Sequence, residues 1–277
     1  MKLISRLEQA ASLDKLVEPG QRVAQMIPAG KFRDALHGTW LGHPVHPPLV
    51  QAVAGTWLSA SIADFVTTDE AVPRRLTAIG LAAAAPAIAA GAADWSEQHE
   101  QQLRVGVIHA AANALAATCY GTSLLVKSRG AGRWWRLGGL TALAAGGLLG
   151  GHLSFRLAGG ANHAEAVPHL VKPGWQYLTV LDELPDGKPA RRLLGEVPLV
   201  AVRDGDQVQV LADRCSHMSG PLSDGDLEDG CLTCPWHGSV FRLSDGSVAR
   251  GPATAPQPAF ETRVVAGGVQ VRLPGAG

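Results

Sequence analysis

The sequence predicts a multi-domain fold: an all-α four-helix transmembrane bundle followed by an all-β domain. Three observations carry this. Hydrophobic residues make up 46% of the 277 and charged residues only 17%, with a mean hydropathy of +0.09, which is high for a wholly soluble chain. From residue 49 the composition shifts to Ala, Gly, Leu and Val in four long runs. From Trp175 onward the pattern turns to short alternating strands. The 24 basic and 24 acidic residues cancel, so no basic footprint for nucleic acid is present.

Residues 1–36 read as an N-terminal amphipathic segment. Ile4, Leu7, Ala11, Leu13 and Leu16 recur near helical spacing, and breaks are expected at Pro19-Gly20 and at Pro28-Ala29-Gly30. Glu8 and Asp14 intrude where a signal peptide would be apolar, so a helix lying on a surface is the expectation.

Residues 37–158 make the four-span membrane domain. The runs are about Leu49–Val66, Leu76–Ala93, Val105–Val126 and Leu137–Leu157, each close to the roughly 20 residues that cross a bilayer as a helix. Gly146-x3-Gly150 and Gly147-x3-Gly151 are where close helix packing is expected. Ahead of the first run, Pro44, Pro47 and Pro48 hold His43 and His46 at its mouth. Four spans return the chain to its starting side, and His43, His46, His109, His152 and Asp94 all fall toward that side. Asp64 lies toward the other, where it would snorkel or pair with a loop arginine. Ionisable groups at membrane depth are functional candidates by default. His109 and His152 sit at similar depth on consecutive helices, a candidate haem pair outside the cofactor assignment. The alternatives are hydrogen bonds to each other or to Asn113, or His43 and His46 as the ligands.

Residues 159–173 read as a linker. In the β domain, 174–274, PLVAVRDGDQVQVLA forms two strands around Asp204-Gly205, and ETRVVAGGVQVRL two more around Gly267-Gly268. Between these hairpins lie two short clamps, Cys215-Ser216-His217 and Cys234-Pro235-Trp236-His237, with sixteen residues between them. Each offers one thiolate and one imidazole. A zinc finger usually pairs its cysteines at one end and its histidines at the other. Two mixed clamps suit a cluster with both thiolates on one iron and both imidazoles on the second. Cys231 reads as a buried strand cysteine, and the four cysteines form no disulfide framework.

At these residues the sequence resembles the Rieske family of [2Fe–2S] proteins. The resemblance implies that Cys215, Cys234, His217 and His237 bind the cluster's metal, the cysteines on the inner iron and the histidines on the outer one. Residues 251–258 resemble the proline loop that covers the cluster. Gly220 and Trp236 stand where the cytochrome bc type places a disulfide, and Ser239-Val240-Phe241 lacks that type's Tyr. The resemblance is therefore to the ferredoxin and oxygenase type, with a low potential, about −150 mV. The segment His37–Val50, with its H-P-x-H-P run, resembles a family of four-helix membrane domains of unassigned function over roughly residues 35–160.

These implications make the expected protein a membrane-anchored electron carrier with a [2Fe–2S] cluster. It is an oxidoreductase component with no catalytic residue of its own. The alternatives are a ferredoxin-like component of a multi-component oxygenase, or a quinol- or haem-linked membrane subunit. Expected partners are the lipid bilayer and redox proteins. For sidedness, Arg74, Arg75, Lys127, Arg129, Arg133 and Arg136 argue one way, against Arg104 in the opposite loop. Cluster assembly in the cytoplasm, with no twin-arginine signal to export a folded domain, places the β domain on the cytoplasmic face.

Overall fold

The computed structural model describes residues 2–275. The chain divides into two compact units. One contains the chain up to Pro28 together with Val45–Gly159, and the other contains Ala29–Pro44 together with everything from Gly160.

The first unit is helical. Two short N-terminal helices, α1 (Lys2–Glu8) and α2 (Asp14–Gln25), precede four long ones. The expected break at Pro19 does not occur, because Pro19 lies inside α2. It is exposed, and the helix continues through it. Gly20 meets the Trp95 ring at a distance that a Cβ would cut to 2.9 Å. Asp14 accepts two hydrogen bonds from Arg104, at 2.7 and 2.9 Å. Another short helix, α3 (Lys31–His37), belongs to the second unit.

The long helices are α4 (His46–Val66), α5 (Ala71–Trp95), α6 (Glu100–Leu125) and α7 (Arg129–Gly151), the last running into a π-helical turn at His152–Arg156. Prolines at the first turn start α4, the His99–Gln102 capping box starts α6, and the Ser128 hydroxyl accepts from the Ala131 amide to start α7. Four helices stand where four apolar runs predicted them. Two of them, α4 and α5, are long and apolar enough to cross a membrane, and a third of each is buried. The expectation of four qualifying spans needs that correction. Gln102, Arg104, His109 and Asn113 dilute α6, and Arg133, Arg136 and repeated glycines dilute α7.

Aromatic rings set into glycine notches hold this bundle together. Trp57 stacks on Tyr120 with centroids 4.4 Å apart. A Cβ at Gly80 would lie 2.3 Å from Trp57, and one at Gly139 would lie 2.7 Å from Tyr120. One helical step on, Asp64 takes a bidentate pair from Arg136 at 2.6 and 2.7 Å, with both side chains buried. Arg136 stands in α7 rather than in a loop, because that helix begins seven residues earlier.

The second unit is built on two antiparallel sheets. Its strands are β1 (Gln176–Val180), β2 (Pro189–Leu194), β3 (Val197–Asp204), β4 (Gln207–Ala212), β5 (Asp226–Glu228), β6 (Cys231–Thr233), β7 (Val240–Arg242), β8 (Val248–Arg250), β9 (Ala259–Val265) and β10 (Gly268–Arg272). The larger sheet runs β1-β10-β9-β4-β3-β2 and the smaller β5-β6-β7-β8. The β3–β4 turn sits one residue later than read, at Gly205-Asp206, because Asp204 pairs with Gln207 at the end of β3. The β9–β10 turn sits one residue earlier than read, at Ala266-Gly267, both with positive φ. One core lies around Leu199, Ala201, Val269 and Val271 and a second around Leu211, Leu222, Leu232 and Phe241. The stretch read as a linker is ordered. It contains α8 (Val167–Leu170), and Val167 and Val171 join the first core.

Candidate metal centre

Both clamps sit on loops attached to the smaller sheet. The first follows β4 and leads to β5, and the second joins β6 to β7. Although their spacings differ, the two loops share one backbone design. The Cys215 amide donates to the Gly220 carbonyl at 2.8 Å, and the Ser219 amide donates back to the Cys215 carbonyl at 2.9 Å. In the second loop, Cys234 donates to Ser239 at 2.8 Å and Gly238 donates to Cys234 at 3.1 Å. The fifth residue of each loop, Ser219 or Gly238, has a left-handed φ of 64° or 72°. His217 comes two residues after its cysteine and His237 three, so the unequal spacing reflects different offsets within one loop form.

The loops bring like with like. The Cys215 and Cys234 thiols hydrogen-bond each other in the interior, 1% and 3% exposed. The His217 and His237 rings meet edge to face with centroids 5.1 Å apart, both half-buried. Backbone amides of His217 and Met218 point at the Cys215 sulfur, and those of Trp236 and His237 at the Cys234 sulfur. Two thiols in contact cannot both ionise readily. The hydrogen bond from Cys215 and the two loop amides bring Cys234 down to about 6 against its burial. The same thiol pair, with burial, pushes Cys215 up. Among the described residues, no three or more His, Cys, Asp or Glu close on a single metal ion.

Three residues that the sequence did not single out fix the loops. Gln257 donates to the Ala212 carbonyl at 2.7 Å and to the Arg214 carbonyl, and accepts from the Ser216 amide at 3.0 Å. The Ser216 hydroxyl donates to Ala255 at 2.7 Å, while Ser239 accepts from the Ala253 amide at 2.9 Å. The 251–258 segment therefore ties both clamps together from one side. Only its prolines were visible in sequence, because Ser and Gln carry no periodic signal there. At the start of this segment the Gly251 amide donates to Asp34 at 2.9 Å, so the 29–44 stretch is fastened beside it. Gly220 supplies the close approach between the loops: a Cβ there would lie 2.8 Å from Cys234 Sγ and 3.1 Å from the Trp236 ring. Cys231 is half-buried on β6, less enclosed than expected.

Comparison with known proteins bears on the β domain. A family model described as the Rieske [2Fe-2S] domain matches residues 174–261. The anthranilate 1,2-dioxygenase ferredoxin subunit of Burkholderia cepacia is 35% identical over 99 residues, 36% of this chain and 92% of that protein. Ferredoxin CarAc of Metapseudomonas resinovorans is 38% identical over 78 residues, 28% of this chain and 73% of that one. Among solved structures, a complex of reduced oxygenase and oxidised ferredoxin in carbazole 1,9a-dioxygenase aligns at 33% identity and a TM-score of 0.33. It covers 35% of this chain and 92% of that chain.

Proposed function

Since the chain belongs to the Rieske [2Fe–2S] family, we propose that it is a one-electron carrier of the oxygenase-ferredoxin type, held to a lipid bilayer by its helical unit. Its cofactor is a Rieske [2Fe–2S] cluster. The pairing of donors carries the ligand assignment: thiol beside thiol in the interior and imidazole beside imidazole nearer the surface. Cys215 and Cys234 would hold one iron of the cluster, and His217 and His237 the other. Two separate donor pairs suit two irons bridged by sulfide; a lone zinc would draw all four donors to one point.

The bound cluster supplies reversible one-electron storage. The chain's own residues do the rest. Four loop amides stabilise negative charge on the two cysteine sulfurs. Met218, Leu222 and Ala253, at most 2% exposed, keep water from the thiol side. The imidazole edges of His217 and His237 form the path for the electron. Trp236, half exposed beside His237, offers a flat contact for a partner. With no Tyr or disulfide in the loops, the potential is low, about −150 mV. The Burkholderia relative is the ferredoxin subunit of a dioxygenase, so the partner proposed is an oxygenase that receives the electron.

Membrane anchoring rests on the outer surface of the bundle. Exposed Ile62, Phe65, Ile79, Ile88, Leu115 and Leu148 clothe all four long helices in apolar side chains, as lipid contact demands. Trp134 and Trp135 stand near the start of α7, where an interfacial belt is expected. On this reading the helical unit sits in the bilayer through α4 and α5, the two helices long and apolar enough to cross it, and the cluster domain lies on the cytoplasmic side.

The test is EPR spectroscopy and iron and sulfide analysis of the detergent-purified protein. The expected result is a Rieske signal that disappears in Cys234→Ser and His217→Ala and persists in Cys231→Ala. Stoichiometric zinc without iron or acid-labile sulfide would overturn the assignment.

A further inference from the structure

The helical unit carries a second pair of histidines, and the pair differs from the one the sequence suggested. His152 is engaged elsewhere: its Nε2 lies 2.8 Å from a Glu8 carboxylate oxygen. The ring near His109 is that of His46, with centroids 6.5 Å apart and planes at 79°.

The two rings are seated by the same device, used once in each helical hairpin. In the α4–α5 hairpin, Nδ1 of His46 meets the Ala87 carbonyl at 2.8 Å. Four residues on, Gly91 leaves the room: a Cβ there would lie 2.7 Å from the ring. In the α6–α7 hairpin, Nδ1 of His109 meets the Gly146 carbonyl at 2.8 Å. Again four residues on, Gly150 leaves the room, with a Cβ 3.1 Å from the ring. A carbonyl can only accept, so each Nδ1 carries the proton and each neutral ring keeps its lone pair on Nε2. Nδ1–H on a backbone carbonyl, with the lone pair left on Nε2, is the outer-shell arrangement of a metal-ligating histidine.

We propose that His46 and His109 are the two axial ligands of a b-type haem held between the two hairpins. The spacing accommodates a shared metal. Two imidazole nitrogens each about 2.0–2.1 Å from one ion put the ring centroids roughly 6 Å apart, close to the observed separation. A quinol bridging both rings would hold them much farther apart, since each O–H···N bond alone takes about 2.8 Å and the quinol ring adds its own width. The protein offers two donors here and no third among the described residues. The remaining coordination must therefore arrive with the metal, as the four nitrogens of a porphyrin do. Asn113 stands ready to yield its place. Its amide lies 3.2 Å from Nε2 of His109 and 3.4 Å from Nδ1, yet it also donates to the His109 carbonyl at 2.9 Å. It keeps a partner when Nε2 is taken. Gly146 leaves the space in which that amide sits.

The experiment uses the full chain, expressed with added haem precursor and purified in detergent, and reads a pyridine haemochrome assay beside the Rieske EPR signal. About one haem per chain is expected, with a low-spin bis-imidazole spectrum. His46→Ala and His109→Ala each lose it, while His152→Ala and His43→Ala retain it. All four variants keep the cluster signal, which separates failure here from failure of the electron-carrier reading. In His109→Gly, added imidazole restores the haem spectrum, so a folding defect is distinguished from a lost ligand. Protein with a full cluster complement and no haem overturns the proposal, as does haem that survives both His46→Ala and His109→Ala.

Discussion

A methyl group on Gly220 would press on Cys234 Sγ and the Trp236 ring, and neither can withdraw while the loops stay paired. Gly220→Ala is expected to cost about 1–3 kcal/mol through overpacking and to lower iron and sulfide content more than it lowers secondary structure by circular dichroism. Gln257 works from the opposite side. It is 2% exposed and makes three hydrogen bonds, so truncation strands buried polar groups on three partners. Gln257→Ala should destabilise the domain by about 2–4 kcal/mol, read from thermal unfolding, with the Ser216 amide exchanging faster. The cysteines and histidines of the clamps were legible because metal donors in a fixed spacing have few other uses. Gln257, Ser216 and Ser239 were not. Their roles arise from contacts some forty residues apart in the chain, or fourteen for Ser239, and their residue types are common on any surface.

The helices were legible to within a few residues at most ends, since apolar composition and capping residues act locally. The Pro19 break was misread, because local propensity alone does not decide whether a helix continues through an exposed proline. For Asp64 the sequence offered an arginine partner but placed it in a loop rather than on a facing helix. Asp64 and Arg136 are 72 residues apart, and each removes the other's desolvation cost. Asp64→Leu or Arg136→Met alone should lower stability by about 3–5 kcal/mol, whereas the double replacement should cost much less; thermal unfolding in one detergent compares them. Toward the N-terminus, the Arg104 hydrogen bond holds the Asp14 carboxyl below its usual range. A depressed carboxylate contributes stability above its unfolded value, about 3.9, and loses it as pH falls through the folded one. Amide exchange in α2 should therefore quicken below about pH 4, and Asp14→Asn should show the faster rate already at neutral pH.

At the scale of the molecule, sequence composition separated helical from β architecture because the two demand different periodicities. It did not reveal where the chain changes units, since 29–44 carries no signal of belonging with strands more than a hundred residues later. Asp34 and Gly251 make that membership concrete. Asp34→Ala is expected to speed amide exchange at Gly251 without changing the helical content, and unchanged exchange would show the contact to be dispensable. For sidedness, a cysteine placed in the exposed Ser244–Asp245 turn of the cluster domain should resist membrane-impermeant maleimide in intact cells and react after lysis. The allocation of 29–44 also governs what one cut can do. The chain passes between its units at 28–29, at 44–45 and again at 159–160, like thread through two pieces of cloth. A protease site inserted at Gly159–Gly160 would sever only the last stitch. After cleavage, the C-terminal fragment should run separately in denaturing gels yet co-elute with the helical fragment in detergent, retained by the short stretch the helical fragment still carries. Release would require Asp34→Ala or further cuts at both 28–29 and 44–45, since the 29–44 stretch is joined to the helical unit at each of its ends.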